Sequence, residues 1–347
     1  MLTRRQFIEF TNKRGNLKKN ELKIICSSLN LNQQGNKKQL YHSIKKYYNI
    51  KPLQLLPDWN VNNLKIYLKK RGLSTKGSKK VLFQNVKKFK KQSVEKKLPY
   101  YIISYQAQGR RSYMEDRIII KLNKTNAFIS VLDGHGGSQC ANFLKKNLYS
   151  IFLNENKKLS SKNMKKALLN TYVKSDDIFL NTKQHSGSTA CTLFLNHKQK
   201  KFFVANTGDS RIILYTNNKV IQLSIDHKPE IPKEQHRIYR RGGFVKDGRL
   251  NGILAMSRSM GDRFLKNKGL SCLPDIIMGR IKKNMEYFVI ASDGLYDVMT
   301  NNDIVNYINK QLNRGIDKNT IVKNLVEYAI IEKISGDNVS VIIIFMK

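Results

Sequence analysis

Six apolar runs rich in β-branched residues recur after residue 100, and an acid stands where most of them begin or end. They are AFISVL (127–132), TACTLFL (189–195), KFFVANT (201–207), RIILYT (211–216), EYFVIAS (286–292) and NVSVIIIFM (338–346). Runs of this length and composition read as strands. Asp133, Asp209 and Asp293 follow such runs, Asp337 precedes the last, and Glu115-Asp116 stand just ahead of a further apolar stretch. Gly or Ser flanks Asp133, Asp209, Asp293 and Asp337, so backbone and side chain can both approach a ligand there. A fold that gathers these ends would crowd carboxylates whose repulsion only cations relieve. No His or Cys cluster accompanies them, and an oxygen-only donor set points to hard divalent ions, Mg²⁺ or Mn²⁺. Asp133 stands third in VLDGHGG, where Asp133-Gly134-His135 on its own reads equally as a phosphate cradle, a metal-ligand set or a tight turn.

Helical periodicity lies between the strands, at about 138–152, 161–181, 301–312 and 318–333. NTGDSRIILYTNNK places strands around a GDS turn and again around Asn217-Asn218, which implies antiparallel pairing at both. Antiparallel strand groups with helices between them predict an α+β fold, a β-sandwich flanked by helices. The four cysteines contain no C-x-x-C pair and read as reduced thiols of an intracellular protein. No apolar run reaches the length of a membrane span, and the twin arginine at the start lacks an apolar export segment.

The first 98 residues have a different texture. They hold 25 Lys and Arg against 4 Asp and Glu, more than half of the chain's net charge of +39. Such asymmetry favours a polyanionic partner. This region also repeats itself at a spacing of 42 residues without a gap, 20–48 against 62–90. Leu22 matches Leu64, Leu31 matches Leu73, Lys37-Lys38 match Lys79-Lys80, and Leu40 and Ile44 match Leu82 and Val86. Each copy reads as helix, extended loop, helix, so the expectation is a small all-α helix–loop–helix repeat region over 1–90. The copies fall at about 17–48 and 59–90, with a charged linker at 91–99. The second copy resembles a SAP motif, a small DNA-binding helix pair. The first departs from that pattern, with Asn30 where Gly72 stands. The resemblance implies nucleic-acid contacts by Lys37, Lys38, Lys79 and Lys80.

From residue 100 to 347 the ordered motifs GRRSYMEDR, VLDGHGG, SGSTACTLFL, VANTGDSRIILY, GRLNGILAMSRSMGD, VIASDGLYDVM and GDNVSVII resemble the metal-dependent protein phosphatases of the 2C type. The resemblance implies two Mn²⁺ or Mg²⁺ ions flanking a bridging hydroxide, with a third ion in some members. Asp133 would be shared by two ions. Asp293 and Asp337 would complete one, Glu115 and the Gly134 carbonyl the other, and Asp116 would act through water. Asp209 and Asp297, with Asp293, would hold the third. Arg111 would grip the substrate phosphate in two-pronged fashion. His135 would protonate the leaving oxygen, and Asn338 would help to orient a water.

The chemistry is coherent without the resemblance. A phosphomonoester dianion repels hydroxide, so its hydrolysis needs charge neutralisation, a nucleophile near neutral pH and a proton for the leaving alkoxide. Neither Cys140, Cys191 nor Cys272 carries the C-x5-R phosphate loop of a cysteine nucleophile. By the same resemblance, the segment 227–252 corresponds to the family's variable flap beside the active site, and it carries Lys228, Lys233, Arg237, Arg240, Arg241, Lys246 and Arg249. A basic flap would favour acidic or multiply phosphorylated substrates. The expected whole is a monomeric serine/threonine phosphatase of nucleus or cytoplasm, neither membrane-bound nor secreted, tethered to nucleic acid by its N-terminal region. The competing reading is a catalytically weak scaffold on the same anchor.

Overall fold

In the computed structural model, which describes residues 19–29, 31–34, 36–37, 39–40, 43–44, 61–69, 73–86, 98–158 and 163–347, the apolar runs of the larger unit become two five-stranded antiparallel sheets. The first joins β1 (Tyr100–Ala107), β8 (Arg211–Thr216), β9 (Lys219–Gln222), β14 (Met285–Ala291) and β15 (Val339–Met346) in the order β1-β15-β14-β8-β9. The second joins β2 (Arg117–Leu122), β3 (Asn126–Leu132), β6 (Ala190–Asn196), β7 (Lys201–Thr207) and β13 (Asp275–Arg280) in the order β13-β7-β6-β3-β2. A small sheet of β4 (Gly134–His135), β5 (Gly187–Ser188) and β12 (Met260–Gly261) sits beyond the end of β3.

Side-chain parity explains the layering. Alternate residues of a strand face opposite sides, and most residues of the central strands are buried on both. Val289 and Ala291 of β14 pack with Ile304, Ile308, Leu325 and Ala329. Those come from α7 (Asn301–Asn313) and α8 (Lys318–Ile331). Phe128 and Leu132 of β3 pack instead with Leu144, Leu148 and Leu168, from α3 (Gln139–Lys158) and α4 (Met164–Leu180). The other parity meets between the sheets, where Phe202 of β7 and Phe288 of β14 meet edge to face at 5.5 Å. Buried on both faces, these strands need no polar alternation, which is why they read as continuous apolar runs. The helix starts are equally local. Thr300 and Asp303 form a reciprocal capping box, and Asp317 accepts from two amides at the start of α8.

One turn departs from expectation. Asn217-Asn218, at φ +50° and +56°, closes the β8–β9 hairpin as the sequence implies. The GDS turn does not make a hairpin. β7 pairs with β6 and β13, whereas β8 pairs with β14 and β9. Gly208, at φ +108°, turns the chain from one sheet into the other. Both flanking strands already have partners on each side, so Asp209 lies on a crossover rather than at a hairpin tip.

The smaller unit spans Met1–Lys96 and the larger Lys97–Lys347. In the smaller, α1 (Lys19–Ser28) and α2 (Val61–Lys69) begin the two repeats. Leu64, Leu68, Leu82 and Val86 form a closed apolar cluster flanked by Leu73 and Phe83. The first repeat buries Leu22, Cys26, Leu40 and Ile44. Lys38 and residues 91–97 of the expected linker lie outside the described residues.

Candidate metal centre and active site

The acids predicted from strand ends converge at one end of the sandwich. Asp133 leaves β3, its amide donating to Thr189 Oγ1 at 3.0 Å and its carbonyl accepting from Thr189 N at 2.7 Å. Asp293 opens the short helix α6 (Asp293–Tyr296) directly after β14. Asp337 precedes β15, and Asp116 precedes β2, fully buried and held by Ser292 Oγ at 2.8 Å. Gly134 must be glycine here, since a Cβ would stand 2.7 Å from the Glu115 carbonyl. Glu115 Oε1 accepts from the amide of Gly137 at 2.6 Å.

Their electrostatics are those of acids lacking counter-charge. Burial pushes Asp133 well above the carboxylate range, and neighbouring Asp293, Asp116 and Asp209 push it further. Burial lifts Asp293 to about 7, with Asp209 and Asp297 adding to the rise, and it lifts Asp116 to about 6. Asp297 also rises through burial, despite lying at the rim. Two cations partly relieve the cluster. Lys228 Nζ binds Asp209 Oδ2 and Arg111 Nη2 binds Asp337 Oδ2, both at 2.6 Å. The other oxygen of Asp209 is buried without a partner.

The donor chemistry suits hard divalent ions, being oxygen-only, acidic and underneutralised. Among the described residues no three acidic, His or Cys side chains close into a ready-made cage. Arg111 and Lys228 draw two of the acids aside, so an entering cation would take over charge that these side chains now balance.

His135 stands apart from the acids' mutual repulsion. Its Nε2 meets Asp262 Oδ2 at 2.7 Å, and Ser259 Oγ donates to the same carboxylate oxygen at 2.5 Å. Burial alone would lower its pKa, but the Asp262 carboxylate outweighs that and raises it. Nδ1 of His135 is buried without a partner. Gly187 makes room for the pair, because a Cβ there would lie 2.0 Å from Asp262 Oδ2 and 2.2 Å from His135 Nε2. Asp262 itself has left-handed backbone, φ +51°, a conformation costly for a side chain other than Gly or Asn/Asp. Asp262 ends the AMSRSMGD motif, where its neighbours in sequence give it no role.

Asn338 is placed differently from expectation. Its Oδ1 accepts from Glu115 N at 2.8 Å, and its Nδ2 donates to the carbonyls of Gln108 and Tyr113 at 2.7 and 2.9 Å. Both N–H bonds are used on backbone, so Asn338 clamps the Arg111 loop rather than directing an N–H to a water. The flap is also less free than its charge implies. It comprises α5 (Pro232–Arg240) and the hairpin of β10 (Val245–Lys246) and β11 (Arg249–Leu250). Lys228 is taken by Asp209. Arg237 donates to Glu234 and the carbonyls of Gly269 and Ser257, and Arg249 donates to the Ile253 carbonyl. Lys233, Arg240, Arg241 and Lys246 remain exposed.

Fold and site together define a helix-flanked antiparallel sandwich with a cluster of underneutralised carboxylates where its sheets meet. The protein phosphatase 2C family matches residues 102–339, and the SAP domain matches residues 56–91. The chain belongs to the protein phosphatase 2C family. It is similar to a probable protein phosphatase 2C 56 of Oryza sativa subsp. japonica, 40% identical over 218 residues, covering 59% of this chain and 60% of the relative. It is also similar to protein phosphatase 2C homolog 2 of Saccharomyces cerevisiae, 33% identical over 262 residues, with 68% and 56% covered. The chain thus spans little more than half the length of these relatives. Among solved structures, a sex-determining protein of C. elegans matches with a TM-score of 0.67 at 24% identity, over 77% of this chain and 71% of that one. A serine-threonine phosphatase 2C from Toxoplasma gondii matches with a TM-score of 0.62 at 23% identity, over 72% and 95%. Those two likenesses bear on the fold. Dependence on Mg²⁺ or Mn²⁺ is general in the family.

Proposed function

We propose that the chain hydrolyses phosphoserine and phosphothreonine in proteins with the help of divalent cations. The observation that carries this reading is the convergence of Asp116, Asp133, Asp209, Asp293 and Asp337, underneutralised, beside a His135–Asp262 pair. Asp133, Asp293, Asp337, Glu115 and the Gly134 carbonyl would hold two ions, with Asp116 acting through water. Asp209 and Asp297, with Asp293, would offer a third and weaker position. Such ions, when bound, neutralise the phosphate dianion and supply a nucleophilic water near neutral pH.

The chain's own residues do the rest. Arg111 is exposed at the mouth and trades its bond to Asp337 for two phosphate oxygens, matching a planar guanidinium to a tetrahedral anion. Asn338 fixes the loop that carries Arg111 and Glu115. Asp262 occupies Nε2 of His135, so the unpartnered Nδ1 is the atom that gives its proton to the departing serine or threonine oxygen. Lys233, Arg240, Arg241 and Lys246 favour acidic residues around the phosphosite.

The N-terminal region, residues 1–90, would tether this monomeric enzyme to nucleic acid inside the cell. Lys37, Lys79 and Lys80 are exposed, as contacts to a phosphodiester backbone require. No helix among the described residues is long and apolar enough to cross a membrane. The deciding measurement is release of phosphate from a phosphothreonine peptide with and without Mn²⁺ or Mg²⁺, using Asp293→Asn as control. Cation-dependent turnover lost in the variant supports the reading. Turnover that ignores both cation and substitution overturns it, as does none at all, which would leave the scaffold reading.

A further inference from the structure

The 42-residue repeat continues into three dimensions. The buried positions pair off as Leu22 with Leu64, Cys26 with Leu68, Leu40 with Leu82 and Ile44 with Val86, each 0–1% exposed. Backbone bonding repeats in the same register. Leu31 N donates to Cys26 O at 2.8 Å and Leu73 N to Leu68 O at 3.1 Å. Leu40 N donates to Asn36 O at 3.1 Å and Leu82 N to Ser78 O at 3.0 Å. The SAP match covers 56–91 alone, yet residues 19–44 bury and bond the same positions.

A duplicated core would by itself argue only for a duplicated spacer. The surface argues further. On α1, Lys23, Ile24 and Ser27 are exposed, and on α2 so are Lys65, Ile66 and Lys69. These are one helix face in each copy, at i, i+1 and i+4. Ile24 and Ile66 are 68% and 48% exposed, an apolar residue held twice at a place where packing does not call for one. Lys37 and Lys79 repeat likewise in the loop, both exposed. Among the described residues of both copies, no lysine is in an ion pair with an acid. A core needs only its buried positions, whereas a common ligand needs the exposed ones. Unpaired ammonium groups around an apolar contact suit the phosphates and sugars of a nucleic-acid backbone.

We infer that residues 19–44 form a second nucleic-acid-binding unit, so that the chain grips one phosphodiester backbone at two points. This rests on the tethering role proposed for the N-terminal region. The first unit is the weaker, since Ser27 and Gln34 stand where Lys69 and Lys76 supply charge in the second. Joined by residues 45–60, the units would meet one strand at high effective concentration, multiplying affinity by about 10²-fold or more without new contacts.

The test measures binding of the full chain to labelled duplexes, a short one that accommodates one unit and a long one that accommodates both. DNA and RNA duplexes are run side by side to identify the source of the backbone. Three forms are compared: the unchanged chain, Lys23→Ala with Lys37→Ala, and Lys65→Ala with Lys79→Ala. Thermal melting confirms that the variants remain folded. On the long duplex each pair of substitutions should weaken binding about 10-fold or more and make the salt slope shallower by about 2, with the second pair the more severe. On the short duplex the loss from the first pair should be small. If the Lys23 and Lys37 pair leaves long-duplex affinity and slope unchanged while the Lys65 and Lys79 pair abolishes binding, the first unit is a spacer and the inference fails. If the unchanged chain binds neither duplex at low salt, the tethering role itself fails.

Discussion

Two buried acid clusters sit in the larger unit and have opposite electrostatic character. In one, Glu234 of α5 receives Arg258 through both carboxylate oxygens, together with Arg237 and Ser257. Burial would push Glu234 up, but the Arg258 bonds outweigh it and hold the carboxyl at about 2. Asp275, facing His227 at 3.4 Å and bonded to Arg258 at 3.0 Å, is likewise held below the usual range. In the other cluster, buried Asp116 and half-buried Asp133 and Asp293 crowd one another and titrate high. The difference is arginine. Where guanidinium groups match the carboxylates, the cluster ties the flap to its base. Where they do not, the acids store repulsion that only an added cation releases, which marks a site rather than a strut.

The contrast can be broken by substitution. Asp293→Asn should cost several kcal/mol of transition-state stabilisation, on the order of 10³-fold in phosphopeptide turnover. The same variant in EDTA should melt no lower than the parent, because it removes a repelled charge; a large drop in melting temperature would make Asp293 a strut. Glu234→Gln should do the reverse, leaving Arg258 buried without its partner and costing about 3–5 kcal/mol in urea denaturation. A cost below about 1 kcal/mol would show that the network is idle. Asp262→Asn should lower kcat by about 10²-fold. The loss should be greater for phosphoserine than for an aryl phosphate, whose leaving group needs no proton. An equal loss on both substrates would remove Asp262 from proton delivery.

The smallest effect concerns pH. Asp116 and Asp293 bind protons more tightly folded than unfolded, so in EDTA stability should fall as pH rises from about 4 toward about 7. Mn²⁺ should then raise the melting temperature more at pH 8 than at pH 5.5. Glu234 contributes in the opposite sense. Its stabilisation is present above the ordinary carboxylate range and is lost as pH falls from about 4.5 toward about 2. Melting curves across this range in parent and Glu234→Gln separate the two contributions.

Much of this was legible in the sequence where the signal is local. The strand runs at 201–207 and 211–216 coincide with β7 and β8, because strands buried on both faces carry unbroken apolar residues. The acids showed through their position at strand ends. What could not be read was pairing between distant segments. Nothing near Asp262 announces that His135, 127 residues earlier, will meet it. Glu234 and Arg258 look like ordinary surface charges until the flap folds over them. The GDS turn misled because Gly-Asp-Ser between strands is what a hairpin also uses, and only the sheet order reveals the crossover. Asn338 follows a candidate ligand in sequence, but its bonds go to a loop more than 200 residues away.

That crossover has a kinetic consequence. Asp133 hangs from one sheet, Asp293 and Asp337 from the other, and Asp209 from the chain passing between them. Neither sheet alone assembles the acid cluster, so it comes into being only when the two halves of the sandwich mate. A cation held by acids of both sheets would stabilise only the mated sandwich, like a latch fitted to a closed door. Mn²⁺ should therefore slow unfolding markedly while leaving the folding rate almost untouched.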